Sequence, residues 1–150
     1  MESGKCKMKE DKIDALVKTA VEAGLEGLDF LSQFSYAQLA ESYNGIGPEF
    51  LSERDRQRLS DFLVLFQPAA LIHDMRYSVG DGCRHCFNYA NWEFWENCRT
   101  LADHAYPWYS WKRYRARTVA DLLAKAVRSE AGWIAWQDAS KKHAEKENHT

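Results

Sequence analysis

Proline and strand-like alternation are both scarce in this chain. Only three prolines interrupt 150 residues, and no run alternates Val, Ile or Thr with polar residues over strand length, so neither a β-sandwich nor a β-barrel is expected. Long apolar runs are missing too. The longest near-apolar stretch, Phe62 to Ile72, is broken by Gln67 and Pro68 and is too short to cross a bilayer. The segment Met1 to Lys12 carries Glu2, Lys5, Lys7, Lys9, Glu10 and Asp11 and little apolar surface, unlike a secretory leader, so a cytoplasmic protein is expected. A large charge of either sign is absent as well. The net charge of -2 removes any global drive towards nucleic acid, and an electrostatic partner must be met by a local patch. In a reducing compartment the four cysteines, Cys6, Cys83, Cys86 and Cys98, are expected as free thiols or metal ligands rather than as a disulfide framework.

What is present is helical spacing. With 45% hydrophobic and 28% charged residues, the chain is expected to fold as one all-α domain over 1–150 with a substantial core. Ile13, Leu16, Val17, Ala20 and Val21 mark one face of a first helix that Gly24 can end. Ser35 caps a short helix over Tyr36 to Ser42, which stops at Asn44-Gly45. Ser52 opens a third, with Asp55 placed as in a capping box and Leu59, Phe62, Leu63 and Phe66 on the buried side. Pro68 suits the first turn of a fourth, which Gly80-Asp81-Gly82 terminates. A fifth is expected from about Asn88 to Ala105, antiparallel to the fourth across a Val79 to Phe87 loop. A sixth starts at Pro107, and Val127 to Ala139 continues it or breaks from it. The aromatic and basic helices thus occupy 106–139, and the polar tail, 140–150, is expected to fray.

The densest chemistry lies in Ile72-His73-Asp74-Met75-Arg76-Tyr77. At 3.6 residues per turn His73 and Tyr77 share a helix face, while Asp74 points about a quarter-turn aside. The small neighbours Ala69 and Ala70 let another backbone approach, and the Gly45 to Gly47 turn is a candidate to fold over Asp74. Its carbonyl oxygens would then add to the several oxygens that calcium requires, because glycine can turn carbonyls inward without a side-chain clash.

Tyr43-x-Gly45-x-Gly47 followed by His73-Asp74-x-x-Tyr77 resembles the calcium loop and active-site helix of secreted-type phospholipase A2. The likeness is closer to the disulfide-poor relatives found in parvovirus capsid proteins and in small bacterial and phage proteins. There a Phe-Asn-x-Ala-Asp-x-x-Phe segment follows the His-Asp helix, and Phe87-Asn88-Tyr89-Ala90-Asn91-Trp92-Glu93-Phe94 occupies that place. The resemblance spans roughly Tyr43 to Phe94, and the phospholipase A2-like core it implies covers about 43–105. It implies a core of two antiparallel helices with helices added at each end, and calcium-dependent hydrolysis of phospholipid esters. His73 would be the base that activates water, Tyr77 would hydrogen-bond the network that steadies it, and Asp74 would hold calcium with backbone oxygens of Tyr43, Gly45 and Gly47. The metal would stabilise the oxyanion. Asn91 departs from the pattern, standing where the family carries an aspartate. An amide accepts a hydrogen bond from the ring but supplies no negative charge to an imidazolium, which points to slow catalysis or to an inactive scaffold that binds a protein or a membrane.

Two further features stand outside that resemblance. Cys83-Arg84-His85-Cys86, with Cys98 and His104 downstream, offers the ligand types of a Cys3His zinc site, although the second half has no standard spacing. All six tryptophans follow residue 90, in the i,i+3 pairs Trp92/Trp95, Trp108/Trp111 and Trp133/Trp136. Between Tyr106 and Arg128 the cations Lys112, Arg113, Arg115, Arg117, Lys125 and Arg128 face a single acid, Asp121. That composition suits an anionic membrane surface or a protein partner, and equally a packed core with a solvated face.

Overall fold

The computed structural model of the protein describes residues 2–46 and 52–148, and among them every regular element is an α-helix. In chain order these are α1 (Glu2–Ala23), α2 (Leu28–Leu31), α3 (Tyr36–Ser42), α4 (Glu53–Leu65), α5 (Gln67–Ser78), α6 (Arg84–Ala105), α7 (Trp111–Val127) and α8 (Glu130–Asn148).

Helix ends follow local chemistry. Ser35 Oγ accepts from the Gln38 N–H at 3.2 Å while the Gln38 side chain accepts from the Ser35 N–H at 2.9 Å, a reciprocal cap that starts α3. Ser52 Oγ accepts from the Asp55 N–H at 3.2 Å and starts α4. Pro68 lies in the first turn of α5, where a missing N–H costs nothing. Gly24, at φ 71°, ends α1.

Some boundaries differ from expectation. α6 begins at Arg84 rather than Asn88, with Cys83 as its N-cap, so the α5–α6 connection shortens to Val79–Cys83. α7 begins at Trp111, four residues after Pro107, because Ser110 Oγ caps it through the Lys112 N–H at 3.2 Å. The chain breaks at Arg128-Ser129 and restarts as α8. The polar tail does not fray at Lys141: α8 runs to Asn148, with Trp136 and Ser140 on its buried side. Val21, placed by its spacing on the buried face of α1, is 59% exposed.

α6 is the centre of the packing. Phe87, Ala90, Phe94, Cys98 and Leu101 repeat at three- and four-residue steps and are all buried. On one side α5 runs antiparallel to it, pairing Tyr77 with Phe87 and His73 with Phe94 at ring separations of 6.4 and 4.8 Å. On the other, α7 returns alongside, with Trp95 Nε1 donating to Asp121 Oδ1 at 2.7 Å and Arg113 and Arg117 converging on Asp103. α8 packs on α5 and α7, and α1 lies across α3 and α5.

Three polar residues of α6 are also buried, and each has a partner on a different segment. Asn97 clasps the Glu26 backbone, accepting from its N–H at 2.7 Å and donating to its carbonyl at 3.0 Å. Glu93, 1% exposed, receives Arg76 Nε at 3.1 Å and Nη2 at 2.9 Å, a fork-to-fork pair that ties α6 to α5. Gly27, at φ 89°, passes so near that a Cβ there would stand 2.8 Å from Glu93 Oε2. Asn91 belongs to the candidate site.

Arg76→Met leaves the Glu93 carboxylate buried without its cation and is expected to cost about 3–5 kcal/mol in urea unfolding. The double variant Arg76→Met/Glu93→Leu is expected to recover most of that loss, and a double as unstable as the single would contradict the pairing as described.

Candidate functional site

His73 and Tyr77 project from successive turns of α5 towards α6, where Asn91 meets them. Asn91 Oδ1 lies 2.8 Å from His73 Nε2 and accepts from the Tyr77 hydroxyl at 3.1 Å. Asn91 Nδ2 donates to the Val127 carbonyl at 3.2 Å, at the end of α7. That last bond fixes the amide orientation, because a carbonyl can only accept. Oδ1 must therefore face the ring, and His73 Nε2 must carry the hydrogen it donates. Nδ1 then holds the lone pair. It has no hydrogen bond among the described residues, and it is not sealed from solvent.

The imidazole is packed between Tyr77 and Phe94, with ring centroids 4.4 and 4.8 Å away. Burial disfavours the imidazolium and lowers its pKa from 6.5 to about 4, only partly opposed by the Asn91 hydrogen bond. At neutral pH the ring is an unprotonated but weak base.

Asp74, one residue on, turns to the segment after α3. Its Oδ2 accepts from the N–H groups of Asn44 and Gly45 at 2.8 and 2.9 Å. Gly45, at φ 75°, lets the chain present these consecutive amides as a small anion-holding nest. Burial raises the Asp74 pKa from 3.8 to about 7 despite both donors. Tyr43 hydrogen-bonds Gln67, and its phenol is pushed up to about 12 by burial and by the Asp74 charge.

The glycine turn does fold over Asp74, as its spacing suggests, but with the opposite polarity to a calcium loop. In a trans peptide the C=O and N–H point in opposite directions. With the Asn44 N–H aimed at Asp74, the Tyr43 carbonyl is directed away, so Tyr43 is not a ligand alongside Asp74 in this arrangement. Gly45 contributes its N–H to the carboxylate, and Gly47 lies outside the described residues. One carboxylate with two amide donors does not fit a cation that takes about 6–8 oxygens.

His73 and Asp74 open on a cavity of about 670 Å³ between α5, α7 and α8. Ala70, Phe94, Leu123, Val127 and Ala139 supply apolar wall, while Lys142, His143 and Lys146 of α8 stand at its edge. Lys146 reaches Glu41 of α3 at 3.4 Å. Sequence reasoning missed this edge because the tail was read as unstructured. It missed Val127 because a carbonyl leaves no trace in residue type.

The proposed four-ligand zinc set does not assemble. Cys83, Cys86, Cys98 and His104 span a single helix and its cap, which places Cys98 about 18 Å and His104 about 27 Å beyond Cys86 at 1.5 Å per residue. Cys98 is fully buried in the core, where desolvation raises its thiol pKa.

The tryptophans divide. Trp136 is buried, Trp133 packs on Phe87 at 5.1 Å, and Trp95 bonds Asp121. Trp108 and Trp111, in contrast, are 82% and 79% exposed beside the exposed Tyr109 and Tyr114. Of the basic cluster, Arg113 and Arg117 are paired to Asp103, and Arg128 donates to the Ala124 carbonyl. No helix among the described residues is long and apolar enough to cross a membrane.

No family model, curated protein or solved structure matches this chain.

The opposite shifts of His73 and Asp74 predict a compensated acid response. His73, with its folded pKa lowered, contributes stability present above pH 6.5 that is lost as pH falls towards about 4. Asp74, with its folded pKa raised, contributes stability present below pH 3.8 that is lost as pH rises through about 7. Between about pH 4 and 6.5 the two slopes cancel. Relative to wild type in EDTA, Asp74→Asn is expected to lose stability as pH drops through that window and His73→Gln as pH rises through it. Parallel profiles for both variants in chemical denaturation would contradict the assignment.

Proposed function

We propose that the cavity beside His73 receives the acyl chain of a phospholipid-like ester, and that the protein is a slow hydrolase of phospholipase A2 type. The observation that carries this reading is the His73–Asn91 bond, which orients the ring so that the lone pair on Nδ1 is left for water next to an apolar-walled cavity. The order of the glycine turn, the His-Asp helix and the Asn91 segment supports the same reading.

Nδ1 takes a proton from a water whose oxygen attacks the ester carbonyl. Collapse of the tetrahedral adduct breaks the acyl C–O bond, and the imidazolium returns the proton to the departing alcohol. Lys142, which has no ion-pair partner among the described residues, is placed to meet a lipid phosphate at the cavity edge. Two terms that speed this chemistry are weak here. Asn91 offers the imidazolium no charge, and the amides that hold Asp74 leave no calcium shell for the oxyanion.

Slow fatty-acid release from mixed micelles is therefore expected, at equal rates in EDTA and in calcium, and lost by tenfold or more in His73→Ala. Asn91→Asp is expected to raise the rate at least about tenfold, since the reverse change in a serine-protease triad costs about 10⁴.

A second reading is favoured by the same neutral Asn91 and the amide-clasped Asp74: a scaffold that binds an amphiphile, a membrane surface or a protein partner without turnover. It gains if wild type and His73→Ala are equally silent yet both sediment with anionic vesicles. In either reading Lys142→Glu is expected to weaken vesicle binding several-fold.

A further inference from the structure

The connection between α5 and α6 gathers three metal-ligating side chains that the cavity chemistry does not use. Asp81 lies in the turn, Cys83 caps α6, and Cys86 stands in its first turn. One ligand atom from each lies within 4.8 Å of the other two. We propose that Asp81, Cys83 and Cys86 form a site for one thiophilic divalent cation of the zinc type, with its fourth position open to water.

The donor set decides the class of ion. Two sulfurs and a carboxylate oxygen suit zinc, whereas calcium and magnesium take oxygen alone. The spacing agrees. At a Zn–S distance of about 2.3 Å, tetrahedral ligands stand roughly 3.8 Å apart, so side chains already within 4.8 Å close on an ion by small rotations.

The backbone is already arranged for it. Asp81 Oδ1 accepts from the Cys83 N–H at 2.9 Å, which folds the carboxylate back over the cap. Gln137 of α8 donates to the Gly82 carbonyl at 3.0 Å and holds the turn from the far side.

No cation of the protein competes for the cluster from its own cap, because Arg84 stacks on Trp133 at 4.4 Å and on Phe87 at 5.2 Å. A reversible disulfide is the rival use of Cys83 and Cys86. It needs only the two sulfurs, whereas a cation would use the Asp81 carboxylate as well. A neighbouring cavity of about 290 Å³, lined by Asp81, His85, Cys86 and Tyr89, leaves room for the water ligand.

The test is cobalt titration of the full, reduced chain, followed by the sulfur-to-cobalt charge-transfer absorption, with zinc added as competitor. One equivalent of cobalt, displaced by one of zinc, is expected. Cys83→Ser and Cys86→Ser are expected to abolish the band, Asp81→Ala to weaken binding at least tenfold, and Cys98→Ala to leave it unchanged, with circular dichroism verifying that each variant is folded. Zinc is also expected to raise the Tm of wild type and not of the Cys83→Ser/Cys86→Ser double variant. A folded wild type that gives no band overturns the proposal, as does binding that survives in the double variant or is indifferent to Asp81. Formation of a Cys83–Cys86 disulfide with glutathione disulfide, in a chain that takes up no cobalt, puts the dithiol in its place.

Discussion

The buried polar face of α6 is the constraint from which the rest of the structure follows. A helix that carries Asn91, Glu93 and Asn97 into an apolar interior must find a partner for each, since an unpaired buried amide or carboxylate costs more than most packing contacts return. The solutions point in different directions. Asn97 takes the turn after α1, Glu93 takes Arg76 of α5, and Asn91 takes His73, Tyr77 and the end of α7. Apolar contacts alone would let helices slide or rotate at small cost. These bonds fix the register of α1, α5 and α7 against one helix.

The same constraint sets the character of the site. Asn91 is satisfied on both sides of its amide, so the tautomer and tilt of His73 are fixed before any ligand arrives. That pre-organisation comes with neutrality. The ring is desolvated between Tyr77 and Phe94, and the adjacent Asp74 is turned towards the Asn44 and Gly45 amides. Burial pushes the pair towards neutral imidazole and neutral acid. An interior arranged in this way favours an apolar guest over a charged intermediate. The same neutrality that suits an acyl chain withholds charge from an imidazolium, so the proposed turnover is slow.

The fold was readable where chemistry is local. Ser35, Ser52, Pro68 and Gly24 act within a turn of where they stand, and the helices they bound were placed from residue type alone. The α5–α6 pairing and the meeting of His73, Tyr77 and Asn91 were readable because spacing of one turn, together with an order of motifs, survives folding. Features set by distant partners were not. Asp81, two residues before Cys83, was visible as a donor type, yet the eye goes to cysteine pairs, and Cys98 and His104 were drawn in although a continuous helix carries them away. The end of α8 was misread for a related reason. Beyond Ala139 its positions are so polar that the one buried there, Ser140, was outvoted. The polarity of the Asn44-Gly45 amides was not legible either, since one peptide flip exchanges donor for acceptor without changing a residue.

α8 joins the two ends of this argument. Trp136 fills the space over α5, edge-on to Tyr77 at 5.0 Å, and lies so close to Gly80 that a Cβ there would stand 2.4 Å from its ring. One residue on, Gln137 holds the Gly82 carbonyl, and two turns on, Lys142 borders the His73 cavity. The cysteine turn and the cavity are therefore roofed by one helix. Its contact with α5 rests on a glycine that leaves room for the indole. The turn touches Trp136, Trp136 packs on the Tyr77 ring, and the Tyr77 hydroxyl donates to Asn91. The path from Asp81 to His73 is short and made of packed groups. The cysteine turn and the histidine network are thus linked by one continuous run of packed side chains.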